Sequence, residues 1–596
     1  MFTWSERELN PEQSAAVLEP QSMFLIACPG SGKTRTLTYK IAYELSRLTA
    51  RNAMVAAITY THRAADEIHE RIEDLGVDTG RLSIGTIHSF CVEWILKPYG
   101  IYEPALAHGV RIIDQHERQV LLEGLCRQDH RGVTFWDCDY YFTEDGYALG
   151  CVDVRKHEAL HDILGEYFAV LARNRQLDFE LILFYAHRLI ATHPIISHLL
   201  AQIYSIILID EYQDTKRIQY SIVASILRAG SGQTKVFIVG DPNQAIYGSL
   251  GGLALSVSDF RAMCGIPILE GALSRNYRSS NRIIEYFGLY KVQEMAIEAA
   301  STDRHYRSVI CYNDSIARPE LEDELVRLIR LSIESHGIKA NEVCVLAPQW
   351  ALLAGITRRL VAALPEYQFD GPGMVPFSRD PENFWYRLSR IVLTHAAPGM
   401  YVRRLRWAAE IIRELKDSGV NVNNLTTKGL LRECNSVECA EPNGLGYLRA
   451  VFGFLFQRLN IDIAAYPLLQ DHHAAFFDSS QARIDRLTLE GSPFVAGIEF
   501  FRKVFQVRTG ITVSTIHGVK GAEFDAVIAY GLLEGMVPHF SDPDGDVSAR
   551  KMLYVVCSRA RKNLYLISER ERARGRYNQY SPTERLADCV FAYDDV

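Results

Sequence analysis

The segment that most constrains this chain is Ala27-Cys28-Pro29-Gly30-Ser31-Gly32-Lys33-Thr34, which lies between the apolar run Met23-Phe24-Leu25-Ile26 and a helical pattern from Thr34 to Leu48. A buried strand, a glycine-bearing loop and a helix in that order form a phosphate cradle. Loop N–H groups and the positive end of the helix dipole face the anion, Lys33 reaches the β and γ phosphates of a nucleotide, and Thr34 can hold Mg²⁺. Ala27 stands where the general pattern has Gly, which adds only a methyl group. The competing reading is a glycine turn that happens to precede a helix, and the strand-loop-helix context weighs against it.

Two further strands carry polar residues at their ends. Ser205-Ile206-Ile207-Leu208-Ile209 delivers Asp210 and Glu211. Adjacent carboxylates at a strand tip suit a division of labour in phosphoryl transfer, with Asp210 serving the metal and Glu211 polarising the attacking water. Lys235-Val236-Phe237-Ile238-Val239 runs into Gly240-Asp241-Pro242-Asn243-Gln244, which puts Gln244 where a γ-phosphate sensor can sit.

In order along the chain, these and later segments resemble the motifs of superfamily 1A helicases of the UvrD/Rep/PcrA type. Leu9-Asn10-Pro11-Glu12-Gln13 resembles the adenine-reading Q motif, with Gln13 as reader, and Arg35 matches a nucleotide-side arginine. Thr59-Tyr60-Thr61-His62 and Gly85-Thr86-Ile87-His88-Ser89-Phe90 resemble DNA-contacting motifs. Ile209 to Thr215 matches the Walker B segment, and Gly240 to Tyr247 the coupling motif. Asn276-Tyr277-Arg278-Ser279, Thr515-Ile516-His517-Gly518-Val519-Lys520-Gly521-Ala522-Glu523 and Tyr554 to Ala560 complete the series. The resemblance implies that Tyr277 stacks on adenine, that Glu523 meets the ribose, and that Arg278 and Arg559 approach the γ-phosphate from a second domain. Two such arginines would neutralise charge on the transferred phosphoryl group. The implied nucleotide shell is Gln13, Ala27, Gly30, Ser31, Gly32, Lys33, Thr34, Arg35, Tyr277 and Glu523, with ATP and Mg²⁺ as cofactors. The implied catalytic groups are Lys33, Asp210, Glu211, Gln244, Arg278 and Arg559, with Thr34 and Asp210 on the metal.

The expected fold class is α/β, with two RecA-like P-loop domains, each a parallel sheet with flanking helices and a mainly helical insertion. Domain 1A is expected over 1–91 and 185–272, insertion 1B over 92–184, domain 2A over 273–348 and 508–572, insertion 2B over 349–507, and a short tail over 573–596. The formal net charge of −8 argues against indiscriminate coating of nucleic acid, so any DNA path must be a local groove. The 12 cysteines include no C-x-x-C pair and read as reduced thiols in a cytoplasmic protein; no signal peptide or membrane-spanning run is expected.

By the same resemblance, single-stranded DNA, or DNA with a single-stranded tail, would meet Thr59, Tyr60, Thr86, His88, Ser89, Phe90, Tyr247, Thr515 and His517. Each also has a plain structural reading as a core aromatic or a helix cap. After Tyr247 this chain has Gly248-Ser249-Leu250-Gly251-Gly252, whereas the family usually carries an aromatic and an arginine there. One stacking platform and one positive contact are therefore missing. Within the second insertion, Arg403, Arg404, Arg406, Arg413 and Lys416 lie on a helical pattern that reads either as a duplex-contacting helix or as an ordinary solvated face; the arginines at 570, 572, 574 and 576 carry the same ambiguity.

Three readings follow. One is an autonomous ATP-dependent helicase with 3′ to 5′ polarity taken from the family. Another is an ATPase or DNA-end sensor that regulates a separate nuclease subunit, similar to the short UvrD-like proteins of phage-defence systems such as Gabija; about thirty residues after Ile567 are too few for a nuclease domain of its own. The third, an unrelated P-loop enzyme such as a kinase, is disfavoured by the paired arginines and the Q motif.

Overall fold

A computed structural model describes residues 2–248, 251–371, 374–377, 380, 383–489, 491–506, 509–540, 542, 544–575 and 578–596. Its frame is a pair of six-stranded sheets in which every neighbouring pair of strands is parallel. The first sheet contains β1 (Met23–Ala27), β2 (Met54–Thr59), β3 (Leu82–Thr86), β4 (Tyr204–Asp210), β5 (Lys235–Gly240) and β6 (Leu269–Leu273), in the order β6-β1-β5-β4-β2-β3. The second contains β7 (Ile310–Asn313), β8 (Val343–Ala347), β9 (Phe369–Asp370), β10 (Ile511–Thr515), β11 (Phe524–Ala529) and β12 (Ala560–Ile567), in the order β7-β12-β11-β8-β10-β9. The central strands are apolar almost throughout because helices cover both faces of each sheet: Ile207, Leu208, Phe237 and Val239 are fully buried in one, and Val345, Val527 and Ile528 in the other.

Two helices flank the loop after β1, and a third packs against the second of them. In α1 (Pro11–Leu18), Asn10 and Gln13 form a reciprocal capping box. Helix α2 (Lys33–Arg47) starts directly from the loop, with Gly32 in the left-handed region at φ 80°. Helix α3 (His62–Asp74) is capped by Thr61 and carries Asp66, Glu70 and Glu73.

Between β3 and β4 runs a largely helical insertion around Leu160, Leu164, Tyr167 and Leu171, which shares one core with the first sheet. The second insertion has a separate core built on Trp385, Trp407, Phe452, Phe456 and Phe477. It starts later than expected. The helix Trp350–Ala363 and strand β9, expected inside it, bury Leu353, Ile356, Leu360 and Phe369 in the core of the second sheet. The reason is that the helix has an amphipathic periodicity that matches the sheet's open face, and that Phe369 and Asp370 pair with Ile511 and Thr512 at its edge. No described helix is long and apolar enough to cross a membrane.

The basic helix of the second insertion, α4 (Tyr401–Asp417), turns its charge inward. Arg403 pairs with Glu70, and Arg406 bonds Glu70 at 3.0 Å and His69 Nδ1 at 2.8 Å and approaches Glu73 at 3.4 Å. Arg404 is buried and donates to Asn435 Oδ1 at 2.7 Å and to the Ile391 carbonyl at 3.1 Å. Arg403, Arg404 and Arg406, three of the residues that suggested a duplex-contacting face, are thus engaged with α3 of the first sheet and with the insertion's own core. Arg413 and Lys416 remain exposed.

Candidate functional site

The loop after β1 needs its two glycines for different neighbours. Gly30 lies at φ 68°, and a Cβ there would fall 2.6 Å from Arg278 Cβ and 3.2 Å from Asn276 Oδ1. At Gly32 the same atom would fall 2.6 Å from Gln13 Nε2. Gln13 is buried and donates to the Ser31 carbonyl at 2.8 Å, so α1 braces the loop from one side. From the other side, Asn276 donates to the Pro29 carbonyl at 2.8 Å and the Tyr277 N–H to the Gly30 carbonyl at 2.8 Å. Tyr277 is left partly exposed beside α1, its hydroxyl accepting from Asn10 at 2.8 Å. Ala27 is fully buried in β1, and its methyl group is accommodated. Arg35 is exposed on the first turn of α2 and reaches the Glu8 carbonyl at 3.4 Å.

Asp210 closes β4, and Glu211 follows in the left-handed region at φ 52°. Left-handed backbone at a non-glycine residue is a local cost retained where the surroundings fix it. Here the Glu211 N–H donates to Asp210 Oδ1 at 3.0 Å and the Glu211 side chain accepts from Gln213 at 2.5 Å. Burial, and then the Glu211 charge, push the Asp210 carboxyl up to about 7. Burial acts the same way on Glu211, but the positive charges of Lys33, Lys520 and Arg559 and the Gln213 bond prevail and hold it below the ordinary value. The two carboxyls are thus driven apart in acidity.

Beyond β5, Asp241 is fully buried and accepts from Gln244 Nε2 at 2.7 Å. Gln244 Oε1 in turn accepts from Arg559 Nη2 at 2.6 Å. Arg559 is 1% exposed, and it also donates to the carbonyls of Val555 at 3.2 Å and Ala522 at 3.3 Å. Burial first, then the Arg278 charge, lower its pKa to about 9, which leaves it protonated at neutral pH. Arg278 bonds Glu523 at 2.5 Å and the Ser558 carbonyl at 3.0 Å. Burial would raise the Glu523 carboxyl; Arg278 outweighs it and keeps the group below its usual range. All six expected catalytic groups therefore line or adjoin one cleft between the sheets.

The expected nucleic-acid residues divide. Tyr60, Tyr247 and His517 form a ladder, with ring centroids 5.1 Å apart for Tyr60 and Tyr247 and 5.2 Å for Tyr247 and His517. Thr515 sits at the end of β10 beside it, its hydroxyl accepting from the Gly518 N–H at 3.0 Å. Burial, ahead of the Lys520 charge, lowers the His517 pKa, which favours the neutral ring. Thr86 caps the short helix Ile87–Cys91 and bonds Ser89. Thr59 is buried and its hydroxyl donates to the Thr61 carbonyl at 3.0 Å, so it fixes the turn that carries Tyr60. His88 lies edge-on to Phe179 at 5.5 Å. Phe90 takes the core alternative of its two readings: it is 6% exposed and packs on Tyr204 at 5.7 Å because its helix turns that face onto β4.

Of the altered segment after Tyr247, Ser249 and Leu250 lie outside the described residues. Gly251 has φ 84° and would place a Cβ 2.9 Å from the Tyr141 ring, and a Cβ at Gly252 would lie 2.9 Å from the Tyr247 carbonyl oxygen. Neither position has room for a side chain, Gly251 because of the first insertion and Gly252 because of the Tyr247 backbone.

Four buried contributors escaped the sequence reading. Gln213 is wholly buried beside Glu211. Asp241 anchors Gln244. Lys520 pairs with buried Asp214, bonds the Gln244 carbonyl at 2.9 Å and lies 5.3 Å from the Tyr247 ring centre. Their signal was present as the polar residues of the Walker B segment, of Gly240 to Tyr247 and of Gly518-Val519-Lys520-Gly521, but the partners of Lys520 lie hundreds of residues away and the Gln213–Asp241 contact joins the ends of two different strands.

Comparison with known proteins agrees with this geometry. Residues 9–262 match the UvrD/REP helicase N-terminal domain and residues 502–571 the UvrD-like helicase C-terminal domain. The chain is similar to ATP-dependent DNA helicase SRS2 of Saccharomyces cerevisiae, 28% identical over 46% of this chain and 26% of that protein. It is similar to ATP-dependent DNA helicase PcrA of Bacillus subtilis, 28% identical over 46% of this chain and 38% of that protein. A probable DNA helicase II homologue of Rickettsia felis is 23% identical over 94% of this chain and 92% of its own length. The match thus spans well under half of SRS2 and PcrA but nearly all of the Rickettsia protein. With both family domains in order and their motif residues gathered at one cleft between two RecA-like sheets, the chain belongs to the UvrD-like family of superfamily 1 helicases.

Proposed function

We infer that the protein is an ATP-dependent DNA helicase that binds single-stranded DNA, or the single-stranded tail of a duplex, and uses ATP hydrolysis to move along it and unwind. The observation that carries this reading is the continuous contact from cleft to ladder. Gln244 touches Arg559 through its side chain and Lys520 through its carbonyl, and three residues later Tyr247 packs, with tilted rings, between Tyr60 and His517. One short segment senses both sites.

Mechanistically, the loop N–H groups and Lys33 bind the phosphates, Tyr277 and Gln13 flank the base, and Glu523 is placed for the ribose. Glu211 accepts the proton of the attacking water. Arg278 and Arg559 neutralise charge growing on the γ-phosphoryl oxygens, a contribution worth about 10³ or more in rate. Thr34 and Asp210 offer the hard oxygen donors that suit Mg²⁺, and burial, with Glu211 beside it, raises the Asp210 pKa, so an added cation would favour its ionised form. Mg²⁺ held there would supply charge neutralisation at the β and γ phosphates. Since Arg278 and Arg559 come from the second sheet, hydrolysis depends on closure of the cleft, and its reopening can be coupled to a step along the strand.

Thr59, Thr86, Ser89 and Thr515 would position the strand's phosphates, His88 would support that surface, and Phe90 would act indirectly by setting the helix that carries Ser89. The 3′ to 5′ polarity follows from the family, as does placement in the cytoplasm. The domain assignment proposed is the one given above, with the second insertion beginning after β9.

Lys33→Ala and Glu211→Gln variants test the site: DNA-stimulated ATP hydrolysis is expected to vanish in both, and its survival in either would overturn the assignment. Strand displacement from a duplex with a 3′ tail tests the motor; vigorous hydrolysis without displacement would favour a sensor that serves a separate nuclease subunit.

A further inference from the structure

Glu211 is a general base held by a backbone conformation that few non-glycine residues adopt, so what orients its carboxylate matters. One side chain does so. Gln213 Nε2 donates to Glu211 Oε2 at 2.5 Å, while Gln213 Oε1 accepts from the Asp241 N–H at 3.0 Å. A backbone N–H can only donate, so the oxygen of the amide must face Asp241 and the nitrogen must face Glu211; the amide has no second orientation. The residue is 0% exposed, and water does not compete for either bond.

Room for the amide is made by Gly240. A Cβ at that position would fall 2.2 Å from Gln213 Oε1 and 2.5 Å from Tyr212 Cδ1. Gly240 has no positive φ, so its glycine answers to this contact and not to a turn. The same amide bridges the ends of β4 and β5 directly: Asp241, whose N–H it holds, fixes Gln244, and Gln244 meets Arg559.

We propose that Gln213 is the positioning residue of the hydrolytic reaction: its amide aims the Glu211 carboxylate at the attacking water and locks that aim to the loop carrying Gln244. This rests on the role given to Glu211 above. Gln213 is wholly buried with its amide engaged by Glu211 and the Asp241 N–H, so its loss should lower the rate of hydrolysis without loosening ATP. Groups that orient a reacting group from behind typically contribute 10- to 100-fold.

The test uses the full-length protein with Gln213→Met, which keeps the volume and removes both bonds, Gln213→Glu, which can still accept from Asp241 but cannot donate to an ionised Glu211, and Gly240→Ala, which displaces the amide from a different residue. Folding is checked by circular dichroism and thermal melting. DNA-stimulated kcat should fall roughly 10- to 100-fold in all three, while KM for ATP and the affinity for a fluorescent ATP analogue stay within about twofold, as expected for a group outside the nucleotide shell. A Gln213→Met enzyme with kcat within about twofold of the parent, beside an inactive Glu211→Gln enzyme, would overturn the proposal and leave the base assignment standing. So would a loss of kcat matched by an equal loss of nucleotide affinity, the mark of a collapsed site. Activity surviving in Glu211→Gln would remove the base assignment and the proposal together.

Discussion

Arg559 Nη2 lies 2.6 Å from Gln244 Oε1, so a guanidinium from the second sheet and an amide from the first already touch across the cleft. The contact is buried, and it joins the group proposed to neutralise phosphate charge to the group proposed to sense it. Coupling between hydrolysis and domain position needs such a shared contact, because each partner then reads the state of the other.

Arg559→Lys should be nearly as damaging as Arg559→Ala. The ammonium keeps the charge but lacks the planar fork that reaches Gln244 and the Ala522 and Val555 carbonyls together. Steady-state ATPase assays should show kcat lower by about 10³ in both. Near-normal turnover in the lysine variant would mean that charge alone suffices.

Tyr247→Ala should weaken single-stranded DNA binding by about 1 to 3 kcal/mol per lost stacking contact and blunt DNA stimulation, with DNA-independent hydrolysis retained. Fluorescence anisotropy with a labelled oligonucleotide and parallel ATPase assays check this. Unchanged stimulation would exclude the ladder from the DNA path.

The seam between α3 and α4 should depend on charge complementarity. Reversing Arg406 to Glu sets it against Asp66, Glu70 and Glu73. Dyes placed on the first sheet and the second insertion should move apart, by energy transfer, and a Glu70→Arg change in the same molecule should bring them partly back. ATPase activity without DNA should persist, since none of these residues touches the cleft.

Acid should weaken the same seam. His69 accepts a hydrogen bond from Arg406 and so sits as the neutral ring; burial first, and then Arg406, lower its pKa from 6.5 to about 4. Glu70 and Glu410 pull the other way but do not prevail. Between those values the unfolded chain takes up a proton that the folded one does not, so the stabilisation is complete above about pH 6.5 and is lost progressively as pH falls towards 4. Thermal melting across pH 5 to 7.5 should show it, and His69→Gln should flatten the dependence.

Much of the cleft was legible in the sequence because its groups sit at the ends of apolar strands: β1 leads into Lys33, β4 into Asp210 and Glu211, and β5 into Gln244. Local order announces such residues. Arg278 and Arg559 were reachable only through the family resemblance, since nothing nearby in the chain marks a residue that acts across an interface. Gln213 and Asp241 were quoted within motifs but not given roles, because only the folded sheet brings the ends of β4 and β5 side by side. Helix α4 shows the limit from the other side. Its arginines have the spacing of a solvated or DNA-facing surface, and the acidic face of α3 that absorbs two of them lies more than three hundred residues earlier. Phe90 carried two readings, DNA contact and core aromatic, and only the direction its short helix points puts the ring in the core.

Gly30 has a consequence for how the two sheets meet. Its missing side chain leaves room for the backbone and Cβ of Arg278, not only for a phosphate. The loop is thus also a bearing surface on which the second sheet rests, and a single methyl group there would act as a wedge. Even with no nucleotide bound, such a chain would stand ajar at the hinge, and its resting shape in solution, not just its affinity for ATP, would record the change.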